Sequence, residues 1–196
     1  MIKLESVTYS FGTKTLLSSF SFSACAGEIV CFSGPSGSGK TTALEILAGT
    51  LHPASGLRST TALRIGYAFQ DDCLIPWKSA QENLLFVLAG RPRREQAKET
   101  CTYWLAQFLL GEASAKRPAQ LSGGMKRRLN IARAFCIEPE LLLLDEPFAF
   151  QDESAASLIA GQISAAAARG AAVIYAAHEP DFSLFPSLRA VPIAKL

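Results

Sequence analysis

Charge is what this sequence has little of. Charged residues make up 18% of the chain, below the ~25% of an ordinary soluble domain. The 19 basic and 17 acidic residues leave a net charge of only +2. That balance excludes a dedicated nucleic-acid binder, which carries a basic surplus. Histidine is nearly absent, with His52 and His178 alone. The five cysteines (25, 31, 73, 101, 136) are scattered, odd in number and without a C-x-x-C pair. A disulfide framework and a zinc site are therefore not expected, and the thiols are read as reduced and mostly buried. No membrane-spanning run of ~20 apolar residues appears. The best stretch, Ala155 to Ala177, is broken by Gln162, Arg169, Gly170 and several serines. Met1-Ile2-Lys3-Leu4-Glu5 lacks the charged-then-apolar start of a signal peptide, so a cytosolic chain is expected. Repeats and low-complexity tracts are also missing, apart from an alanine-rich stretch at 155–177.

What is present is apolar. Hydrophobic residues reach 49% of 196, which excludes a disordered chain. A chain of this length buries roughly 70% of its unfolded surface, enough for a sizeable core. A mean hydropathy of +0.21 points to an apolar surface shared with a partner.

The patterning reads as strands first. Residues 2–8 and 15–23 predict strands, read as antiparallel. Glu28–Ser33 and Ala62–Phe69 predict two more, the former a buried parallel strand. A helix from Lys40 to Ala48 is closed by Gly49. Beyond Gln70 the pattern becomes helical. Ser79 and Glu82 form a capping box. Arg93 to Leu110 shows one apolar face at 97, 101, 104, 105 and 108, closed by Gly111. Gly123 to Cys136 follows as helix, Leu141–Leu144 as a buried strand, Glu153–Ala168 as helix and Ala171–Ala177 as strand. Alternating strands and helices predict an α/β fold with a mainly parallel sheet. Antiparallel β elements stand at its N-terminus, and the helical stretch 71–133 reads as an insertion.

Gly34-Pro35-Ser36-Gly37-Ser38-Gly39-Lys40-Thr41 fits G-x-x-x-x-G-K-[ST]. Its glycines let several backbone N–H groups turn inward around a phosphate. The helix that follows adds the positive end of its dipole. Lys40 reaches the β- and γ-phosphates, and Thr41, followed by Thr42, offers a hydroxyl to Mg²⁺. A strand precedes and a helix follows, as a phosphate-binding loop requires. The expectation is a P-loop nucleoside triphosphatase core. Leu141-Leu142-Leu143-Leu144-Asp145-Glu146 then places two acids at the carboxyl end of a buried strand, the edge where open α/β sheets bind ligands. Asp145 suits the Mg²⁺ shell. Glu146 suits a base for an attacking water.

Leu121-Ser122-Gly123-Gly124-Met125 lies between these two motifs. With the loop at 34–41 and the pair Asp145-Glu146, it resembles the ATP-binding cassette family across nearly the whole chain. The resemblance implies a single cassette over 1–196, with a nucleotide-binding core at 1–70 and 134–196 and a helical signature subdomain at 71–133. It implies ATP and Mg²⁺ as ligands and two subunits, read as a homodimer, sandwiching two ATP molecules. Ser122, Gly123 and Gly124 would then meet a phosphate bound to the opposite subunit. Phe11 matches the aromatic that stacks on adenine, with Tyr9 as a rival. Gln70 matches the residue that touches Mg²⁺ and the attacking water. His178 matches the switch histidine on the γ-phosphate.

Cys73-Leu74-Ile75-Pro76-Trp77 resembles a segment of importer ATPases for nitrate, sulfonate, taurine and related solutes. The implied system has a separate membrane permease and a solute-binding protein. The ATPase would sit on the inner face of the cell membrane, and no nucleic acid is expected. Trp77 is read either as a permease contact or as core. The family pattern is broken at Ala149-Phe150-Gln151-Asp152, where Gln151 replaces a leucine and Phe150 is bulky. Only 30 residues separate Lys40 from Gln70, fewer than the family commonly has, and a trimmed β-hairpin is expected. The chain's end 18 residues after His178 is read as leaving no room for a regulatory domain. Lys126-Arg127-Arg128, with Arg133, reads as a solvated face or local charge network rather than a site for nucleic acid or lipid phosphate. Two rival readings stand beside the importer: a soluble cassette ATPase acting on nucleic acid or ribosomes, and a non-hydrolysing interaction module.

Overall fold

The structure, a computed structural model, describes residues 1–89 and 94–195. Two sheets form its frame. The N-terminal sheet is antiparallel, in the order β2 (Lys14–Ala24), β1 (Ile2–Phe11), β4 (Ser55–Thr60). The second sheet has five strands, every pair parallel. Its order is β5 (Ile65–Ala68), β6 (Leu141–Asp145), β7 (Ala172–Ala177), β3 (Ile29–Ser33), β8 (Arg189–Pro192).

The parallel sheet is buried on both faces, which is why β6 runs through four leucines before Asp145 rather than alternating. Its side chains still divide by period two. Leu141 and Leu143 join Val30, Phe32 and Ile174 in a core under α1 (Lys40–Ala48) and the antiparallel sheet. Leu142 and Leu144 join Cys31, Val173 and Tyr175 in the opposite core. That second core is roofed by α2 (Ala80–Val87), α3 (Arg94–Gln107), α4 (Gly123–Phe135) and α5 (Glu153–Ala168). The expected α/β architecture with an N-terminal antiparallel sheet is therefore present, and α2 to α4 lie between β5 and β6. No helix among the described residues is long and apolar enough to cross a membrane.

Helix ends follow local chemistry. Gly49 takes φ 82 and returns its N–H to Glu45 and Ile46, the left-handed stop that glycine adopts without a Cβ penalty. At α2, Ser79 Oγ accepts from Glu82 N at 3.2 Å and Glu82 Oε2 accepts from Ser79 N at 2.7 Å, a complete capping box. Ser79→Ala is expected to lower stability by about 1 kcal/mol, measured as a shifted urea midpoint with an unchanged slope. The predicted apolar face of α3 is buried in full: Ala97, Cys101, Trp104, Leu105 and Phe108 are each 6% exposed or less. The start proposed at Arg93 lies outside the described residues. The stop is not Gly111. Helix α3 ends at Gln107, Leu109 takes the left-handed turn at φ 55, and Gly111 opens a short 3₁₀ turn. Strand β5 begins at Ile65 rather than Ala62. Leu63 N instead donates to Glu140 Oε2 at 2.9 Å. Three thiols are buried (Cys31, Cys101, Cys136) and two exposed (Cys25, Cys73).

Candidate nucleotide site

The strand order sets out the site. Reading along the carboxyl edge from β5 to β3, the sheet delivers Gln70, then Asp145 and Glu146, then His178, then the loop 34–41. Residues distant in sequence thus arrive side by side.

The loop closes tightly on the fold. Gly39 takes φ 103 as N-cap of α1, and a Cβ there would stand 2.7 Å from the Leu16 carbonyl. Gly34, at φ 147, has the Ile193 backbone in the place of a Cβ. Neither position accepts a larger residue without moving main chain. Lys40 is buried, and its Nζ donates to the carbonyls of Gly34 (2.7 Å) and Pro35 (3.0 Å). The ammonium is therefore held over the loop it would share with a phosphate. No side chain caps the start of α1, which leaves its first N–H groups available to an anion. Ser38 is 1% exposed and its Oγ has no hydrogen-bond partner. A buried hydroxyl left this way is costly unless a ligand completes it. Thr42 is buried in the first turn of α1, while Pro35, Ser36 and Gly37 line the open side.

Thr41 and Asp145 meet directly, Thr41 Oγ1 donating to Asp145 Oδ2 at 2.6 Å. Burial pushes the Asp145 carboxyl above its ordinary range, a shift that Glu146 adds to and the Thr41 hydrogen bond opposes. One carboxylate and one hydroxyl beside a phosphate cradle is a donor set suited to Mg²⁺, which keeps waters and phosphate oxygens for its remaining positions. Glu146 turns out of the strand at φ 52, a left-handed conformation that costs a non-glycine residue about 1–2 kcal/mol. Its N–H is fixed to the Ala176 carbonyl at 3.0 Å. Its Oε1 stands 3.9 Å from His178 Nε2. His178 bridges back to the loop, with Nε2 3.4 Å from Ser36 Oγ and its carbonyl accepting from Gly34 N at 3.2 Å. His178 thus links Glu146 to the loop 34–41.

The other predicted residues lie on neighbouring segments. Phe11 ends β1 and is 76% exposed, an aromatic face open to a ligand, whereas Tyr9 packs against the core under α1. Gln70 is exposed, and its carbonyl accepts from Arg127 Nη1 at 3.1 Å. Ser122 caps α4, its Oγ accepting from Met125 N at 3.2 Å, with Gly123 exposed beside it. Gly124 faces the loop after Glu146: its carbonyl accepts from Gln151 Nε2 at 3.4 Å, and Gln151 Oε1 accepts from Arg128 Nη1 at 3.2 Å. Gln151 thus ties the start of α4 to the segment following the acids, while Phe150 at φ 60 projects 88% exposed. Of the two readings of the basic run, a solvated face does not hold for Arg127, which is 3% exposed, whereas a local charge network does, with Asp71, Asp72, Asp145 and Glu146 within electrostatic reach.

The ABC transporter family model matches residues 17–149. The chain belongs to the ABC transporter family. The cassette is 38% identical over 166 residues to the sulfate/thiosulfate import ATP-binding protein CysA of Escherichia coli (strain K12), covering 77% of this chain and 46% of that one. It is 40% identical over 152 residues to the aliphatic sulfonates import ATP-binding protein SsuB of Granulibacter bethesdensis, covering 78% of this chain and 62% of that one. The chain therefore spans about half the length of the curated relatives it matches. Its fold superposes on the dimeric structure of a bacterial ABC transporter cassette with a TM-score of 0.89 at 26% identity, covering 98% of this chain and 94% of that one. A post-hydrolysis dimer of the same cassette, bound to ADP and Pi, gives a TM-score of 0.85.

Proposed function

We propose that this cassette is the ATP-hydrolysing subunit of an importer for a small solute, a sulfonate or related compound, working through a separate membrane permease. The observation that carries the hydrolysis reading is the convergence of Lys40, Thr41–Asp145, Glu146 and His178 at one sheet edge. In this reading the loop Gly34–Thr41, with Thr42, holds the phosphates of ATP and Phe11 stacks on adenine. Thr41, Asp145 and Gln70 hold Mg²⁺, which would neutralise phosphate charge. Glu146 accepts the proton of the attacking water, His178 keeps contact with the terminal phosphate and Lys40 spreads the charge that develops there. Ser122, Gly123 and Gly124 close the site of a second copy, so two cassettes enclose two ATP molecules. Residues 1–70 and 134–196 serve as the nucleotide-binding core and 71–133 as the helical signature subdomain.

The permease assignment draws on relatives whose names are import proteins and on one exposed apolar surface. Trp77 is 71% exposed and Phe86 59%. Phe86 lines a groove of about 620 Å³ together with Tyr67, Phe69, Ile75, Val87 and Ile137, and Trp77 follows Ile75 by two residues in the chain. Large aromatic anchors beside an apolar groove are the usual energetic centre of an interface. A solute-binding protein outside and a position on the inner face of the membrane complete the proposed system.

Recovery of partners tests this. Tagged Glu146→Gln protein, loaded with Mg-ATP, is used to capture proteins from detergent-solubilised native membranes. A multi-span permease is the expected partner. Ribosomal or nucleic-acid partners without a membrane protein would contradict the reading. Trp77→Ala combined with Phe86→Ala is expected to reduce permease recovery by about tenfold or more. Both side chains are solvent-facing, so stability should stay within about 0.5 kcal/mol of the parent.

A further inference from the structure

Helix α4 carries a row of donors, two buried and one half-buried, that the nucleotide site does not account for. Arg127 donates from Nη1 to the carbonyls of Phe69 and Gln70, and from Nη2 to the carbonyl of Asp145. Asn130, fully buried, donates from Nδ2 to Phe69 O at 2.8 Å. Arg133 donates to Cys73 O (2.7 Å), to Asp72 O (3.1 Å) and to Asn130 Oδ1 (2.9 Å). The three residues are spaced by three, so they share one helix face. Between them they hold most of the carbonyls in the segment 69–73.

Arg127 differs from the other two because it spans two separate elements. Its fork joins the segment after β5, which carries Gln70, to the end of β6, which carries Asp145 and then Glu146. The arrangement is an expensive way to fill space. A buried guanidinium loses its hydration, and here the Nε atom finds no partner at all. Neutral side chains of similar volume commonly serve stability as well or better. What a guanidinium alone supplies is a rigid, planar set of donors able to pin three carbonyls at once. Its positive charge also lies within electrostatic reach of Asp71, Asp72, Asp145 and Glu146.

We propose that Arg127 is a positioning residue: it locks Gln70 and the pair Asp145–Glu146 into one fixed relation to α4. The proposal rests on the hydrolysis reading above for its kinetic consequence, but not for its structural one. Helix α4 starts at the Ser122 cap, five residues before Arg127, a distance of about 7.5 Å along a rigid helix. Any shift of that cap on meeting a second copy is passed through Arg127 to both the Gln70 segment and the acids. Without Arg127 the carbonyls of Gln70 and Asp145 lose the one donor group they share. The side chain touches neither nucleotide nor reacting water in this scheme. It acts through the main chain of those residues that do.

Two variants and two readouts test this. Arg127→Gln keeps a donor but cannot bridge. Arg127→Lys keeps the charge but not the fork. Steady-state ATP hydrolysis is measured for each, together with amide hydrogen exchange over 69–73 and 145–149. For Arg127→Gln the expected result is a kcat lowered about tenfold with KM for ATP within about twofold of the parent, the signature of lost alignment rather than lost binding. Exchange should quicken in both segments together. Arg127→Lys should fall between Arg127→Gln and the parent in kcat. Unchanged exchange in either segment would overturn the proposal. So would a kcat within twofold of the parent, or a loss carried by KM alone. Failure of both variants to fold would also overturn it, by making Arg127 a core residue only. If the parent itself does not hydrolyse ATP, the hydrolysis reading falls, and the exchange measurement alone still decides the positioning role.

Discussion

Glu146→Gln is expected to lower Mg-ATP turnover by about 100- to 10,000-fold while leaving ATP binding intact, the range that loss of a general base produces. Glu146 is held in a left-handed turn at φ 52 just beyond β6, half-buried, with its N–H fixed to Ala176. That turn carries the side chain out of line with Asp145 and toward His178, 3.9 Å away. Glutamine preserves shape and hydrogen bonding but cannot take a proton from water. Lys40, Thr41 and the α1 N-terminus are untouched, so the phosphates should bind as before. Turnover by steady-state phosphate release, and affinity by equilibrium binding of ATP, check the two halves separately. Equal background rates in both proteins would remove the enzyme reading from the isolated subunit.

The second large effect is on stability. Phe135→Ala is expected to cost about 3–5 kcal/mol, the usual range for emptying a buried aromatic site. Phe135 is 1% exposed, with ring centroids 5.2 Å from Trp104 and 5.4 Å from Phe108. It therefore clasps α4 to α3. The same core contains Leu142, Leu144 and Tyr175 of the parallel sheet. The helical layer and the sheet share that core, so the loss should appear as one cooperative urea transition at a lower midpoint. A separate early transition confined to the helices would show that the two layers fold independently.

Much of the site was legible because its signals are local. A glycine-rich turn between strand and helix, an all-leucine strand ending in acids, and the Ser122-Gly123-Gly124 helix start each carry their own pattern. The helices α1 and α5 match their sequence limits for the same reason, since Gly49 and the Asp152 cap mark their ends. What escaped is held by tertiary partners. Strand β4, Ser55–Thr60, has no apolar alternation and is strand because it pairs with β1. Strand β8 contains Pro192 and survives at the sheet edge, where a missing N–H is tolerated. Trp77 was open between core and surface, and its exposure decides for surface.

Arg127 escaped for a different reason. A Lys-Arg-Arg run reads as a solvated face or a local charge network and does not say which arginine is buried, yet Leu129, Ile131, Ala132, Ala134 and Phe135 are buried around the same helix. Helix α4 is enclosed on nearly every side, which left little room for a charged face. That apolar density was the available signal, and the spacing of Arg127, Asn130 and Arg133 was its complement.

The central claim is that one ATP is held by the Lys40 loop of one copy and the Ser122 helix start of another. Sedimentation of Glu146→Gln protein, with and without saturating Mg-ATP, tests it most directly. A 21.0 kDa monomer is expected without nucleotide and a species of twice that mass with it. Ser122→Arg, which blocks the helix start, is expected to prevent the shift. A monomer that binds ATP tightly yet never doubles in mass would contradict the shared site.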